Sequence, residues 1–264
     1  RVPWWAVGAA ALGSSLLTIT ALLGYQERVR QRRRRALKKE AARHAPDAPL
    51  PHVPTPPHAP VRRDMYDESL VREQLSRNYA FLGEEGMDAI RNSFVIVVGA
   101  GGVGSWAALM LLRSGVGRLR LIDFDQVSLS SLNRHACATL ADVGRPKVVC
   151  CQQFFERIAP WAHVEAYVDL FRDSEADRLL AGAPTYVIDA IDNLDTKVDL
   201  IKYCARHDIK VFSSMGAGAK ADPSCIQISD ISTTVEDPLA RVVRRELRVA
   251  GIPPIPPPGS EDPK

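Results

Sequence analysis

Cysteine is scarce in this sequence, and its placement excludes the common cysteine-based scaffolds. The 264 residues include five cysteines, and none of them forms a C-x-x-C pair. That spacing is the usual signature of a structural zinc site, so such a site is not expected. An odd number of scattered cysteines also argues against a disulfide framework. We therefore expect the folded part of the chain to lie in a reducing compartment.

Net charge is low as well, although the charges are unevenly distributed along the chain. The formal net charge is +3 and the hydrophobic fraction is 46%, which is ordinary for a globular protein with one or two domains. No internal repeat is visible. The chain starts at Arg1 rather than at a methionine, which suggests a processed start or a fragment.

Residues 1–25 are predicted to form a transmembrane anchor. Trp4 to Leu23 is a run of twenty residues without a charge, about the length of a helix that crosses a bilayer. Trp4, Trp5 and Tyr25 lie at the two ends of the run, where aromatic rings prefer the membrane interface. A cleaved signal peptide and a buried core helix are the alternatives. The run is longer than the apolar region of a signal peptide, and its basic cluster follows it rather than precedes it.

Residues 26–63 are predicted to be a basic and proline-rich linker. Nine arginines and lysines lie between Arg28 and Arg43. Under the positive-inside rule, the C-terminal side of the apolar run faces the cytosol. The basic residues could also bind anionic lipid or nucleic acid. The segment 46–60 is dense in proline and cannot pack a core, so it should be an extended spacer.

Residues 64–250 are predicted to form one α/β domain. Helical spacing over 64–91 is followed by predicted strands at 94–98, 118–123, 163–168, 185–189, 210–214 and 225–230. Helices are predicted at 105–113, 146–158, 174–180, 194–206 and 237–249. This alternation favours a Rossmann-like, mostly parallel sheet with helices on both faces. Residues 251–264 are predicted to be a disordered or truncated tail.

The first predicted strand ends in a glycine-rich turn that is typical of nucleotide-binding proteins. The turn contains Gly99, Gly101, Gly102 and Gly104. Glycines let the backbone approach a phosphate, which the N-terminus of the next helix stabilises. Asp123 ends the second strand, at a spacing typical of a carboxylate that binds ribose hydroxyls. These features fit NAD, FAD and ATP alike.

Further polar residues are expected at the same edge of the sheet, where ligands bind in such folds. They are Asp125, Asn133, Arg134, Lys147, Asp192 and Asn193. Arg134 and Lys147 would face a phosphate chain, with Asp192 available for Mg²⁺. Such an array stabilises the charge that grows on the oxygens when an α-phosphate is attacked, which hydride transfer does not require. Each residue also has a plain structural interpretation, with Arg134 as a surface arginine and Asp192 as a helix N-cap.

Five motifs, in this order, resemble the adenylation core of the ubiquitin-activating-enzyme-like (ThiF-type) superfamily. They are Gly99–Gly104, Leu121–Asp125, Asn133–Arg134, Gly144–Lys147 and Ile188–Asn193. Segments between Tyr203 and Ala240 resemble one branch, the tRNA threonylcarbamoyladenosine dehydratases. The N-terminal anchor is similar to that of fungal members in the mitochondrial outer membrane. The resemblance covers about Met65 to Arg248.

The resemblance implies an ATP-dependent reaction on tRNA. The carboxylate of threonylcarbamoyladenosine would be adenylated and would then cyclise with loss of AMP, a net dehydration. The four glycines would pack on ATP and Asp123 would bind the ribose. Arg134 and Lys147 would hold the phosphates, and Asp192 would position Mg²⁺ or support the phosphate site. Arg77 matches an arginine that reaches the nucleotide of a neighbouring subunit in relatives, which implies a homodimer. The catalytic domain would face the cytosol from the mitochondrial outer membrane.

Other functions stay open at this point. The chain could instead activate a ubiquitin-like modifier or a sulfur carrier, bind NAD(P) as an oxidoreductase, or act as an inactive scaffold. Cys204 and Cys225 are predicted to be core residues rather than nucleophiles. Ser131 stands where several relatives have asparagine, and relatives continue beyond the last predicted helix. Basic residues on that helix, Arg241 to Arg248, could bind a tRNA backbone or form a solvated face.

Overall fold

A computed structural model describes residues 67–216, 222, 226–234 and 237–252. These residues belong to the second of two compact units into which the chain divides, Pro60–Lys264. The predicted anchor, the linker and residues 253–264 of the tail lie outside the described residues. Within the described ranges, no helix is long and apolar enough to cross a bilayer.

The described residues form a five-stranded sheet in the order β3-β2-β1-β4-β5, and every pairing in it is parallel. The strands are β1 (Phe94–Val98), β2 (Arg118–Ile122), β3 (His163–Tyr167), β4 (Tyr186–Asp189) and β5 (Val211–Ser213). Val98 of β1 is level with Ile122 of β2 and Asp189 of β4. The loops after these three strands therefore leave the sheet side by side. The predicted Rossmann-like parallel sheet is confirmed.

Helices precede, connect and follow the strands. They are α1 (Glu68–Gln74), α2 (Ser76–Arg91), α3 (Gly102–Arg113), α4 (Lys147–Ile158), α5 (Ala176–Leu179), α6 (Leu194–Arg206) and α7 (Pro238–Val249). Helix α3 begins three residues before the predicted start, directly after the turn residue Gly101. Asp237 caps α7, because its carboxylate accepts hydrogen bonds from the Leu239 and Ala240 amides.

Strand β1 is buried on both faces, which places it at the centre of the domain. Val95 and Val97 pack in one core with residues of α3 and α4, including Leu112 and Phe155. Phe94, Ile96 and Val98 pack in a second core with residues of α5 and α6, including Leu179 and Leu200. Successive side chains of a strand point to opposite faces, so a wholly apolar strand must be covered by helices on both sides.

The predicted strand at 225–230 is wrong for the part of it that the structure describes. The backbone of 226–230 is irregular, and Ile226 and Ile228 are 77% and 81% exposed. Alternating apolar and polar residues stabilise a strand only where neighbouring strands and a core receive them. The described residues provide neither at this segment. Cys225 lies outside the described ranges.

Candidate active site

The glycine turn after β1 is packed directly against the loop that follows β4. Gly99 has a φ of +93°, and a Cβ there would lie 2.7 Å from the carbonyl oxygen of Ala190. A Cβ on Gly104 would lie 1.7 Å from the carbonyl oxygen of Gly99 and 3.1 Å from the Cβ of Ala190. Glycine at both positions is therefore a requirement of packing. The turn and the β4–α6 loop form one continuous surface at the carboxyl edge of the sheet.

Helix α3 starts inside this turn and leaves its first amide groups available to a ligand. Gly101 is the N-cap and has no side chain to accept them. A Cβ on Gly101 would meet nothing within 4 Å, so the turn is open at this point. The free amides and the positive end of a twelve-residue helix dipole form a typical anion-binding arrangement.

Asp123 lies beside the open turn, where the sequence predicts a ribose-binding carboxylate. Its Oδ2 accepts a hydrogen bond of 2.6 Å from the amide of Ala100, and its Oδ1 accepts one of 2.7 Å from the amide of Asp125. Burial raises the pKa of the Asp123 carboxyl, against the lowering effect of these two amides. Asp123 thus links the glycine turn to the loop after β2, with acceptor capacity left on each oxygen.

Lys147 and Asp125 come from elements far apart in sequence and form an ion pair at this edge. The Lys147 Nζ lies 2.6 Å from Asp125 Oδ2, and the Lys147 amide donates to the Asp125 carbonyl oxygen at 3.0 Å. The lysine side chain is only 12% exposed, although it opens α4. Its ammonium has two further N–H groups for other acceptors. The structure brings both predicted residues to the site and orients the lysine through the aspartate.

Arg134 lies over the start of α3, as the sequence predicts. A Cβ on Gly102 would lie 3.0 Å from Arg134 Cδ. One guanidinium nitrogen donates to the Ser130 carbonyl oxygen at 2.8 Å and to Asn133 Oδ1 at 3.1 Å. The Trp106 indole donates to the Arg134 carbonyl oxygen at 3.0 Å, which fixes this segment to α3. Asn133 thus orients Arg134 while remaining exposed itself.

Two buried residues that the sequence did not single out as support hold the segment that carries Arg134. Ser131 Oγ accepts a hydrogen bond from the Ser128 amide at 3.2 Å. His135 Nδ1 accepts hydrogen bonds from the amides of Cys137 and Ala138, at 3.2 and 3.0 Å. Burial lowers the pKa of His135, which favours the neutral ring that these contacts require. A histidine in a loop carries no pattern that could have predicted this role.

Asp192 and Asn193 lie in the β4–α6 loop at the same edge. Asn193 is the N-cap of α6, since its side chain accepts a hydrogen bond of 3.1 Å from the Thr196 amide. The cap is therefore Asn193 and not Asp192. Asp192 is exposed. It lies one residue before the cap, in the loop whose Ala190 packs against the glycine turn.

Comparison with known proteins shows to which family the chain belongs. The ThiF family model matches residues 75–250. The chain belongs to the ThiF family. It is 52% identical to tRNA threonylcarbamoyladenosine dehydratase 2 of Saccharomyces cerevisiae over 71% of this chain and 42% of that protein. It is 44% identical to the Bacillus subtilis tRNA threonylcarbamoyladenosine dehydratase over 68% of this chain and 70% of that protein.

A solved structure extends the comparison to the fold. The Escherichia coli tRNA N6-threonylcarbamoyladenosine dehydratase in complex with ATP is 34% identical, with a TM-score of 0.66 over 69% of this chain and 74% of that one. The chain spans less than half of the length of the yeast relative. The region that matches the ThiF family model, residues 75–250, contains all five strands of the sheet.

Arg77 is the one predicted site residue of this ThiF domain that lies away from the glycine turn. It is exposed in the first turn of α2. The neighbouring Asn78 side chain donates to the carbonyl oxygen of Ser114, which caps the C-terminal end of α3. The glycine turn lies at the opposite end of α3, about 18 Å away at 1.5 Å per residue. Arg77 is therefore not part of the site of its own chain.

The cysteines of the ThiF domain that the structure describes are all buried. They are Cys137, Cys150, Cys151 and Cys204. Burial raises the pKa of Cys204 to about 12 and that of Cys150 to about 11. A hydrogen bond with Cys137, and then burial, raises the pKa of Cys151. A nucleophilic cysteine needs access to substrate, and burial denies this access to all four thiols, so they are core residues. The described residues contain no cluster of histidine, cysteine and carboxylate side chains that could hold a metal ion.

Proposed function

We propose that this chain is the adenylating part of an ATP-dependent tRNA N6-threonylcarbamoyladenosine dehydratase. The observation that carries the proposal is the open glycine turn at the N-terminus of α3, with Asp123, Arg134 and Lys147 around it. The proposal is supported by two relatives with this activity in their names, and by the ATP complex of a third.

The residues around the turn suit the binding of ATP. The amides at the start of α3 would hold the phosphate chain, and Asp123 would accept hydrogen bonds from the ribose hydroxyls. Arg134 and Lys147 would lie beside the phosphates. In the first step an oxygen of the substrate carboxylate attacks the α-phosphorus, and pyrophosphate leaves. The two cations would stabilise the negative charge that increases on the phosphate oxygens in this step.

The second step closes the ring. The acyl adenylate is activated because AMP is a good leaving group, and attack within the threonylcarbamoyl group on the acyl carbon expels it. The modified nucleoside loses the elements of one water, and ATP becomes AMP and pyrophosphate. In this proposal the described residues act in the first step, by binding the nucleotide and stabilising its charge.

Asp192 would hold Mg²⁺ together with the phosphates. Mg²⁺ typically binds one or two carboxylates, several waters and phosphate oxygens. The exposed Asp192 fits this set, whereas Asp125 is already paired with Lys147. When bound, Mg²⁺ would neutralise part of the phosphate charge.

We also propose a homodimer that is anchored in the mitochondrial outer membrane and faces the cytosol. The apolar run from Trp4 to Leu23, followed by basic residues, supports the anchor and its orientation. The position of Arg77, remote from its own glycine turn, supports a role at the site of a second subunit. Fractionation of mitochondria, protease protection and the molar mass in detergent would test these three points.

Mass spectrometry of tRNA nucleosides tests the reaction. Incubation of the chain with threonylcarbamoyladenosine-containing tRNA, ATP and Mg²⁺ should yield a nucleoside lighter by one water, with one AMP per conversion. Arg134→Ala and Lys147→Ala should each lower the rate by about a hundredfold or more, because each removes a charge at the transferred phosphate. Arg113→Ala, which removes a positive charge at an exposed position in the last turn of α3, is the matched control and should leave the rate unchanged.

Three results would contradict the proposal. A covalent adduct with a ubiquitin-like protein, without nucleoside conversion, would indicate a modifier-activating enzyme. Binding of NADH that is indifferent to Lys147→Ala would indicate an oxidoreductase. Nucleoside and ATP left unchanged by a folded wild-type chain would indicate a scaffold.

A further inference from the structure

Lys197 is an unusual residue for the first turn of a helix, because it is completely buried. Its side chain is 0% exposed, and so is that of Asp189. The Lys197 Nζ lies 2.6 Å from Asp189 Oδ2. The ammonium also donates to the Ser214 carbonyl oxygen at 2.9 Å and lies 3.4 Å from Ser213 Oγ. All three N–H groups thus have acceptors. A buried ammonium is retained only where such partners compensate for the loss of water.

Lys197 and its partners together belong to three different elements. Asp189 is the last residue of β4, Lys197 lies in α6, and Ser213 and Ser214 end β5 and begin the loop after it. The Ser213 hydroxyl donates to the same Asp189 oxygen that binds the lysine. The ammonium therefore joins β4, α6 and β5 at the carboxyl edge of the sheet, where ligands bind in this fold class.

Asp189 transmits this arrangement to the β4–α6 loop. While its Oδ2 binds the lysine, its Oδ1 accepts a hydrogen bond of 3.0 Å from the amide of Ile191. Lys197 of α6 thus holds one oxygen of the carboxylate, and the other oxygen holds the backbone of the loop. Asp192 follows directly.

The same loop is in contact with the glycine turn. The carbonyl oxygen of Ala190 is so near Gly99 that a Cβ would approach it to 2.7 Å, and the Ala190 Cβ would be 3.1 Å from a Cβ on Gly104. Interiors packed this closely transmit displacement, since no void is present to absorb it. A shift of residues 190–192 would therefore move the start of α3 or open a gap beside it.

We propose that Lys197 is a positioning residue for the nucleotide site: through Asp189 it fixes the β4–α6 loop against the glycine turn and so sets the placement of Asp192 and of the α3 amides. This inference rests on the proposed ATP-binding function. Lys197 does not touch the nucleotide. It differs from an ordinary stabilising residue because its loss alters a specific loop as well as the stability of the domain.

The experiment compares Lys197→Met with a matched control on the full chain. Methionine is also unbranched and is one heavy atom shorter than lysine, and it carries no charge. The control, Arg120→Met, also removes the buried cation of an ion pair, that between Arg120 and Glu165, which lies between β2 and β3 away from the loop. Two quantities are measured at a temperature where each variant is folded. They are the amide hydrogen exchange of a peptide covering residues 190–196 and the dissociation constant for ATP.

We expect Lys197→Met to speed exchange in this peptide and to weaken ATP binding by about tenfold, the scale on which small misplacements act. Arg120→Met should leave both quantities unchanged although it also lowers the unfolding temperature. The double variant Asp189→Asn/Lys197→Met removes the unpaired buried carboxylate. It should recover thermal stability and still bind ATP weakly, because α6 no longer holds the side chain of residue 189.

Two outcomes would overturn the inference, and a third concerns the function on which it rests. A Lys197→Met or double variant that binds ATP as tightly as the wild type would reduce Lys197 to a stabilising residue. Equal weakening by Arg120→Met would mean that ATP affinity follows stability alone. Failure of the wild-type chain to bind ATP would instead contradict the proposed function. This result differs from a failure of the Lys197 inference because it is seen in the wild-type chain, before any substitution is made.

Discussion

Two buried ion pairs in this domain have similar chemistry and different surroundings. Arg120 and Glu165 are neighbours on β2 and β3, with a nitrogen–oxygen distance of 2.6 Å, and Arg120 also donates to the carbonyl oxygens of Leu179 and Ala181. Lys197 and Asp189 are joined at the same distance and are likewise surrounded by hydrogen-bonding partners. In both pairs, a charge that has left water is compensated by several polar contacts.

The pairs differ in what their carboxylates contact next. Glu165 also accepts a hydrogen bond from a second arginine, Arg118, which lies on the neighbouring strand β2. Both of its arginine partners therefore belong to the sheet. Asp189 binds the amide of Ile191, in a loop that packs on the glycine turn. Burial and pairing alone do not separate a structural pair from one that supports a site. Position along the strand separates them, because only the residues at the carboxyl ends lead into the ligand-binding loops.

The strongest test of the carboxyl edge is a pair of glycine substitutions. Gly104→Ala should destabilise the domain by about 4 kcal/mol or more, because the added Cβ would overlap the backbone of Gly99 and only a backbone shift could relieve it. Gly101→Ala should leave the unfolding free energy within about 0.5 kcal/mol, since its Cβ would meet no atom of the protein. Urea denaturation measures both. A Gly104→Ala protein as stable as the wild type would contradict the packing described for this edge.

The same two glycine substitutions distinguish an effect on stability from an effect on ATP binding. Gly101→Ala places a methyl group where a phosphate would approach the start of α3, so ATP binding should weaken by about tenfold or more while the domain stays folded. Titration with ATP measures this effect. If Gly101→Ala bound ATP normally, the phosphates could not lie at the open side of the turn.

A substitution in the interior of the sheet should lower stability and leave ATP affinity unchanged, in contrast to Gly101→Ala. Arg120→Met leaves two carbonyl oxygens and one oxygen of Glu165 without their donor, so we expect a loss of about 3 kcal/mol in the free energy of unfolding. ATP affinity, measured on the folded fraction, should not change. A loss of ATP affinity at unchanged folded fraction would erase the distinction between the two ion pairs.

Much of this edge could be predicted from the sequence because its parts are local. A strand, a glycine turn and a helix follow one another within Phe94 to Arg113, and the end of β2 delivers Asp123 to the expected place. Parallel strands then bring the other loop residues to one side without further information. The sequence assigns Asp125 and Lys147 to the site and does not predict that they form an ion pair.

The supporting residues could not be predicted, since their roles depend on distant packing. A lysine in the first turn of a helix is normally solvated, whereas the ammonium of Lys197 is buried against Asp189 at the end of β4 and Ser214 after β5. The reverse holds for residues 226–230, where an alternating pattern predicts a strand and the described backbone is irregular. In both cases the local pattern is the same whether or not a neighbouring element is present.

Protonation of His135 is expected to have the smallest effect on stability. It tests whether the structure at the carboxyl edge of the sheet requires a neutral ring at this position. Burial lowers its pKa below the ordinary value of 6.5, so the folded domain favours the neutral ring and the unfolded chain does not. The associated stability is therefore fully present above that ordinary value and is lost as the pH falls through the lower pKa of the folded state. Protonation would replace the Nδ1 acceptor of two amides by a donor, at a cost of about 1 kcal/mol.

Comparing the unfolding free energy at neutral and mildly acidic pH in wild-type and His135→Gln proteins isolates this effect. Glutamine offers a carbonyl oxygen as the acceptor and does not titrate, so the variant should lose less stability on acidification. Identical pH dependence in the two proteins would mean that the ring does not act as the acceptor for the amides of Cys137 and Ala138. Because those amides hold the segment that carries Arg134, ATP affinity should fall with the same pH dependence in the wild type and more weakly in the variant. A surface histidine such as His207, which is exposed and stacks on Tyr203, should show no such coupling when replaced by glutamine.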